Sequence, residues 1–340
     1  MPMNLSVSIA LCTYNGERFL REQLDSYSRQ TRLPDEIVVC DDGSKDRTLV
    51  ILEEWAKTSP CNVRIVRNEQ NLGYAQNFGK AVSLCTGDVI FLSDQDDVWE
   101  PEKIEKMTAV FEEEPEVNLV VSDGFIIDEN AQKVEGSMRE LTELWYYDEP
   151  EAFCVLNPQK ADCFPQGCAS AFRATLRELF LPVPPNWPHD IWLQVTAPLA
   201  GQGRVLNSRL FSYRLYSANT SPYGLFFERK RFWEHKQSIY YWNIAEQFWA
   251  WESRIEGFRN RVLQMKNEPL KRQYLSLLRR NERHFTNRSR IQRNLLLFAP
   301  LVLRELLPDG YASHLFPVRS LIYDLKRGFC GIFKRKGCSK

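Results

Sequence analysis

What this 340-residue chain lacks first is net charge: 44 Lys and Arg stand against 44 Asp and Glu. It lacks a long apolar run as well. The longest, Leu295 to Leu303, has 9 residues, whereas a membrane-spanning helix needs about 20. The first residues, Met1-Pro-Met-Asn-Leu-Ser6, carry no basic stretch leading into an apolar one, so no signal peptide is expected. The 9 cysteines are odd in number, and no two have the Cys-x-x-Cys spacing of a zinc or redox site. Several lie in apolar runs, as in Ile37-Val-Val-Cys40, where a thiol packs as a small hydrophobe. The expectation is a reducing compartment and a cytoplasmic protein. No Gly-x-Gly-x-x-Gly follows the first strand-like segment, which removes a dinucleotide-binding dehydrogenase. The Gly-rich basic signature that a nucleotidyltransferase would place there is absent too, its position being taken by Thr13-Tyr-Asn-Gly-Glu-Arg18.

The zero total charge conceals a division. Residues 1–224 hold 20 basic against 34 acidic side chains, and residues 225–340 hold 24 against 10. This sets a compositional boundary near 224 and gives the second part an anionic partner. With 44% apolar residues, the chain suffices for one large domain plus an appendage. Phe226 to Trp233 and Tyr240 to Trp251 are aromatic and read as the core of a helical appendage. Leu270 to Arg293 reads as amphipathic helix. Leu295 to Leu303 and Phe329 to Lys336 join apolar groups to positive charge, which suits the anionic face of a membrane. No nucleic-acid-binding motif accompanies the charge.

The first part alternates strand and helix. Val7 to Cys12 reads as a buried strand, Glu17 to Gln30 as a helix, and Ile37 to Cys40 as a second strand. Thr48 to Trp55 reads as helix, Val63 to Val66 as strand, Tyr74 to Leu84 as helix and Asp88 to Leu92 as strand. That order predicts parallel βαβ units, in which ligands bind beyond the carboxyl ends of the strands. Three polar turns fall at those ends: Thr13-Tyr-Asn-Gly16, Asp41-Asp-Gly-Ser44 and Ser93-Asp-Gln-Asp-Asp97. Asp94, Asp96 and Asp97 repel one another unless a cation, a donor or water compensates them. Asp-x-Asp suits a hard divalent ion that leaves sites for phosphate oxygens. A plain acidic turn capping a helix is the competing reading, with Asp97 as the cap. Gly73, in Asn68-Glu-Gln-Asn-Leu-Gly73, is either an ordinary loop glycine or a residue needing positive φ.

The ordered set resembles the family 2 inverting glycosyltransferases of GT-A fold. The carriers are Cys12-Thr-Tyr-Asn15, Glu36-Ile-Val-Val-Cys-Asp-Asp-Gly-Ser44, Asn71-Leu-Gly73, Gly87-Asp88 and Ser93-Asp-Gln-Asp-Asp-Val-Trp99. Pro165-Gln-Gly-Cys-Ala-Ser-Ala-Phe172 and Pro188-His-Asp-Ile-Trp192 complete it over roughly residues 5 to 224. The Asp-Gln-Asp-Asp-Val-Trp form is similar to bacterial rhamnosyl-, glucosyl- and galactosyltransferases of surface-polysaccharide assembly. The resemblance implies an α/β GT-A domain over 1–224, with a nucleotide-binding half at about 1–115 and an acceptor half at 116–224. A helical, basic region over 225–340 follows.

The resemblance further implies roles. Cys12, Thr13, Tyr14 and Asn15 line a nucleobase pocket, and Asn71, Gly73, Asp94 and Gln95 join them in binding the nucleotide. Asp42 accepts from a uracil or thymine imide, and Asp41 and Ser44 shape its turn. Asp96 is the principal ligand of Mg²⁺ or Mn²⁺ with Asp94 beside it. Asp190 is the general base, though it also suits an N-cap of a helix from Ile191 to Leu199. Gly167, His189, Trp192, Arg214 and Tyr216 are acceptor or phosphate candidates, His189 reading more readily as packing than as a second base. The donor implied is a nucleotide-sugar, and the acceptor a polyprenyl-diphosphate-linked glycan at the inner face of the cytoplasmic membrane. One departure stands out: Tyr213-Arg-Leu-Tyr216 has tyrosine where the subgroup carries histidine, and a tyrosine is a poor ligand for these ions at neutral pH. A nucleotidyltransferase and a non-catalytic module of the same fold are the alternatives.

Overall fold

The computed structural model describes residues 4–142, 166–185, 187–197 and 202–216, with isolated helical residues between 259 and 279. The chain divides into two compact units, Met1–Val155 with Lys160–Glu246, and Leu156–Gln159 with Gln247–Lys340. The architecture below is that of the first. Expectations for the aromatic and basic segments of 225–340, and for Pro165 and Asn186, lie outside the described residues.

Four strands form the parallel part of one sheet, in the order β3 (Asn62–Arg67), β2 (Glu36–Asp41), β1 (Val7–Thr13), β4 (Val89–Ser93). Every residue of β1 and β4 is buried, as their near-continuous apolar sequence requires of strands covered on both faces. β3, at the sheet edge, alternates exposed and half-buried positions and presents Arg64 and Arg67 to solvent, which discourages edge-to-edge pairing. Helices α1 (Leu20–Ser28), α2 (Thr48–Ala56) and α3 (Tyr74–Leu84) are the crossovers. The last starts and ends where its periodicity predicts. α1 buries Leu20, Leu24 and Tyr27 along one side, the 3- and 4-residue spacing of a helical stripe.

Beyond β4 the sheet changes character. β8 (Ser170–Arg173) runs antiparallel to β4 and to β6 (Val117–Ile127), and β9 (Gln202–Arg214) lies parallel to β6. β5 (Val98–Trp99) pairs antiparallel with β9, and β7 (Lys133–Ser137) with β6. Register aligns the carboxyl ends: Thr13 lies opposite Asp41, and Leu11 opposite Ser93. The three polar turns therefore emerge at one edge.

Two helix starts differ from the sequence reading. Asp97 does not cap a helix, because Val98 and Trp99 are drawn into a ladder with Ser212 and Phe211 that buries the indole. Helix α4 (Lys103–Glu113) begins only after that strand, with Glu102 in the cap position. Asp190 is likewise not an N-cap. Pro188 takes that position at φ −60°, and the helix His189–Thr196 holds Asp190 in its first turn.

Trp192, a candidate for acceptor contact, is instead core. It is fully buried, its Nε1 donates to Phe180 O at 2.7 Å, and its ring meets the Trp187 ring edge-on at 5.2 Å. Its ring cannot reach a substrate in the cleft. Removing such a side chain leaves a cavity and an unpaired carbonyl, so Trp192→Ala is expected to lower unfolding free energy by about 3–5 kcal/mol in urea titration.

Candidate active site

The first two turns are tied by side chains in addition to the backbone bond from Asp42 N to Thr13 O at 2.8 Å. Thr13 Oγ1 donates to Asp41 Oδ2 at 2.9 Å, and the Ser44 N–H donates to Asp41 Oδ1 at 2.9 Å. Asn15 adopts φ 47°, which asparagine tolerates. Its N–H donates to Ser44 Oγ, and its Oδ1 accepts from Lys45 N, each at 2.9 Å. Gln95, from the acidic turn, closes the set: Oε1 accepts from Tyr14 N at 2.8 Å, and Nε2 donates to Tyr14 O at 3.1 Å. Its amide acts as one more strand partner, leaving the Tyr14 ring 47% exposed at the mouth of the site. Cys12 lies just beneath, its thiol pushed up mainly by burial.

Asp42 is wrapped by the loop before α3. Its Oδ1 accepts from Asn68 Nδ2 at 2.7 Å and from Leu72 N at 2.8 Å, and its Oδ2 accepts from Gly73 N at 2.9 Å. Gly73 reaches this position with φ 77°, so the positive-φ reading of that glycine holds. Asn71 Nδ2 donates to Asp42 O at 3.1 Å. Asp42, Tyr14 and Asn71 line a cleft of about 660 Å³ together with Lys45, Arg67 and Asn68. Those last three were missed by sequence reasoning. Arg67 was readable from register, since it lies opposite Asp41 at the end of β3. Asn77, which links Asn68 to Cys40 O, announced itself as a polar residue on the apolar face of α3.

The acidic turn separates its carboxylates. Oxygens of Asp94 and Asp97 and the Cys168 sulfur lie within 4.8 Å of one another. Asp97 is buried; its Oδ1 accepts from Arg214 N at 3.1 Å, while its Oδ2 finds no N–H or O–H donor among the described residues. Asp96 faces elsewhere, Oδ2 accepting from Tyr216 Oη at 2.7 Å. Burial, then Asp97, Asp96 and Asp190, push Asp94 well above the usual carboxylate range. Burial and then Asp96 push Asp97 up to about 7. Behind the turn, Lys103 is fully buried, donates to Cys168 O at 2.8 Å and lies over the Trp99 and Phe211 rings. Burial pushes its ammonium down to about 8.

This donor set fits a hard divalent ion. Asp94 and Asp97 bring carboxylate oxygens within 4.8 Å of each other, one buried Asp97 oxygen accepts no N–H or O–H among the described residues, and the Asp96 carboxylate follows on the same turn with its Oδ2 held by Tyr216. Cys168, its thiol raised by burial, stays a neutral thiol and adds no ligand for such an ion.

Asp190, half-buried, accepts from Ile191 N at 2.8 Å, and its charge is felt at Asp94. His189 packs as read from the sequence: its ring stacks on Phe78 at 3.8 Å and turns an edge to Tyr74 at 5.9 Å. Gly167 allows that fit, since a Cβ there would lie 2.6 Å from His189 Nε2. Arg214, expected at a diphosphate, is instead enclosed. Its guanidinium donates to Asp96 O at 2.9 Å, Glu22 Oε2 at 2.8 Å and Asp128 O at 3.3 Å, and lies over the Phe19 ring.

A parallel sheet with acids at its carboxyl edge, continued by antiparallel strands, defines the GT-A class. TarS 1–349 of S. aureus in complex with UDP-GlcNAc has a similar fold, at TM-score 0.54 and 18% identity over 98% of this chain and 92% of that one. TarS 1–349 in complex with UDP gives 0.51 at 16% identity over the same shares. Residues 8–180 match the family model "Glycosyl transferase family 2", and the chain belongs to that family. An uncharacterized glycosyltransferase of Nostoc sp. is 30% identical over 220 residues, which are 63% of this chain and 66% of the relative. One from Haemophilus influenzae is 31% identical over 157 residues, 45% of this chain and 48% of the relative. The chain thus matches about half to two thirds of the length of these relatives.

Burial pushes the His189 imidazole from 6.5 down to about 4, and neither ring nitrogen has a partner among the described residues. The unfolded chain therefore takes up this proton first, and stability falls as pH drops from about 6.5 to 4. Replacement by Gln removes the titration, so denaturation at pH 7 and pH 4.5 should show His189→Gln losing less stability than wild type. The full effect is on the order of 3 kcal/mol.

Proposed function

We propose that the protein is an inverting glycosyltransferase that moves a sugar from a UDP- or dTDP-sugar to a hydroxyl of a glycan acceptor, with Asp190 as general base. The observation that carries this reading is that the Tyr14–Asp42 cleft and the acidic turn emerge at one sheet edge, with Asp190 near enough to be among the charges that raise Asp94. Membership of the family supports it, as does the likeness to a fold solved with UDP-GlcNAc.

In this reading Tyr14 offers its exposed ring to the nucleobase. Asp42, with its Oδ2 engaged by a single backbone N–H among the described residues, offers a further acceptor site to an imide N–H. Asp94 and Asp96 would hold Mg²⁺ or Mn²⁺, which as a Lewis acid neutralises charge on a departing diphosphate. Asp190 takes the proton of the acceptor hydroxyl as its oxygen attacks the anomeric carbon. The bond from that carbon to the diphosphate oxygen breaks in the same displacement, and the nucleoside diphosphate leaves with the electron pair. One displacement inverts the carbon, so one base is enough and no covalent nucleophile is needed.

The acceptor we propose is a polyprenyl-diphosphate-linked glycan of bacterial O-antigen, capsule or exopolysaccharide assembly. The 24 basic against 10 acidic residues of 225–340 support docking on an anionic membrane surface. No helix among the described residues is long and apolar enough to cross a membrane.

A general base contributes about 10²–10⁴-fold. Asp190→Asn is accordingly expected to slow UDP release from UDP-sugars by that factor, while UDP affinity stays within about twofold. A wild-type rate in Asp190→Asn would remove the base assignment. A wild type inert towards all donors would favour a binding module.

A further inference from the structure

Two residues, Arg214 at the end of β9 and Tyr216 just after it, reach the acidic turn by three separate bonds. Arg214 N donates to Asp97 Oδ1 at 3.1 Å, Arg214 Nε to Asp96 O at 2.9 Å, and Tyr216 Oη to Asp96 Oδ2 at 2.7 Å. Backbone and side chain of Asp96 are thus both held from the same segment. The phenol is itself fixed. Its ring meets the Phe19 ring edge-on at 4.9 Å, and Phe19 lies under the guanidiniums of Arg18 and Arg214 at 4.7 and 4.5 Å.

A cation approaching Asp96 Oδ2 along that lone pair meets the proton of the Tyr216 hydroxyl, not a free oxygen. The hydroxyl is a charge-assisted donor, of the stronger kind of hydrogen bond. A neutral phenol is also a poor replacement ligand for a hard ion, so displacing it loses a bond and gains little. Asp94 and Asp97 alone, with the Lys103 charge behind them, make an incomplete shell for an ion that prefers six oxygens. A nucleotide diphosphate brings the missing oxygens with it.

We propose that Tyr216 is a latch on the acidic turn, a positioning residue that holds Asp96 against a free divalent cation, so that the ion is retained only together with a nucleotide diphosphate. The inference rests on the reading of this turn as the diphosphate site. It makes the tyrosine the cause of metal behaviour: the turn is organised by protein donors beforehand, and the ion is a co-ligand of the substrate.

The test is Mn²⁺ binding to the full chain, followed by electron paramagnetic resonance of the free ion and by calorimetry, with and without UDP. Wild type should bind Mn²⁺ at least about tenfold more tightly when UDP is present. Without nucleotide, Tyr216→Phe should bind Mn²⁺ about tenfold more tightly than wild type, because Asp96 is released. Tyr216→His should bind it at least as tightly as Tyr216→Phe, because an imidazole adds a ligand, and this variant carries the test if the phenylalanine variant fails to fold. A purely structural tyrosine would lower the melting temperature in both variants without raising Mn²⁺ affinity, and that result overturns the latch. Equal Mn²⁺ affinity of wild type with and without UDP overturns it as well. If UDP and dTDP bind to none of the three proteins, the reading of the site falls with it; if UDP binds and only the Mn²⁺ pattern fails, the latch alone is lost.

Discussion

Three carboxylates within four residues at the end of a buried strand are the constraint on which the site depends. At Asp94, Asp96 and Asp97 the burial that stabilises β4 works against the charge that follows it. Burying an ionised carboxylate without partners is costly, and the group answers by binding protons unless donors or cations are supplied. The chain supplies them from distant places: the Arg214 N–H from the end of β9, the Tyr216 hydroxyl from just beyond it, and the Lys103 ammonium from α4. Compensation is incomplete, as an Asp97 Oδ2 with no N–H or O–H donor among the described residues and the raised Asp94 show. A turn that remains short of positive charge is one that a cation and its phosphate oxygens can complete.

Arg214 suits its position for reasons that lysine could not meet. A guanidinium keeps its charge when buried and spreads its donors in a plane. Here that plane lies on the Phe19 face and reaches two backbone carbonyls and Glu22. One side chain thereby fixes α1, the Asp96 peptide and the end of β6 to the end of β9. The remaining turns are fixed by amides, hydroxyls and one carboxylate. Gln95 pairs with Tyr14 as a strand would, and Asp41 collects Thr13 and Ser44. A site held this way is organised before a ligand arrives, so little ordering is left to oppose binding.

The parallel half of the fold was legible in the sequence because its signals are local. Apolar runs bounded by turn residues marked β1, β2 and β4, and 3.6-residue periodicity marked α3 at both ends. The convergence of the polar turns followed from the βαβ rule alone. Where the reading missed, the deciding partner came from far along the chain. Asp97 lost its cap because Trp99 pairs with Phe211, and Arg214 was turned from phosphate to protein by Glu22, 192 residues away. Trp192 could not be assigned to core while Phe180 O was unknown as its acceptor. Propensity and spacing carry no such information.

Tyr216, where the resemblance implies a histidine, shows the same limit from the other side. The sequence makes Tyr216 visible as a departure and implies a weaker metal ligand, but not what the hydroxyl does. Only its 2.7 Å bond to Asp96 converts a missing ligand into an added donor. That changes the sign of the effect. A lost histidine merely weakens ion binding, whereas a tyrosine hydrogen-bonded to the carboxylate also opposes it, in proportion to the strength of that bond. On the proposed reading, the acidic turn is then selective for what it is offered. A free ion must break the bond for one carboxylate, while an ion carried by a diphosphate arrives with most of its oxygens in place and needs less from Asp96.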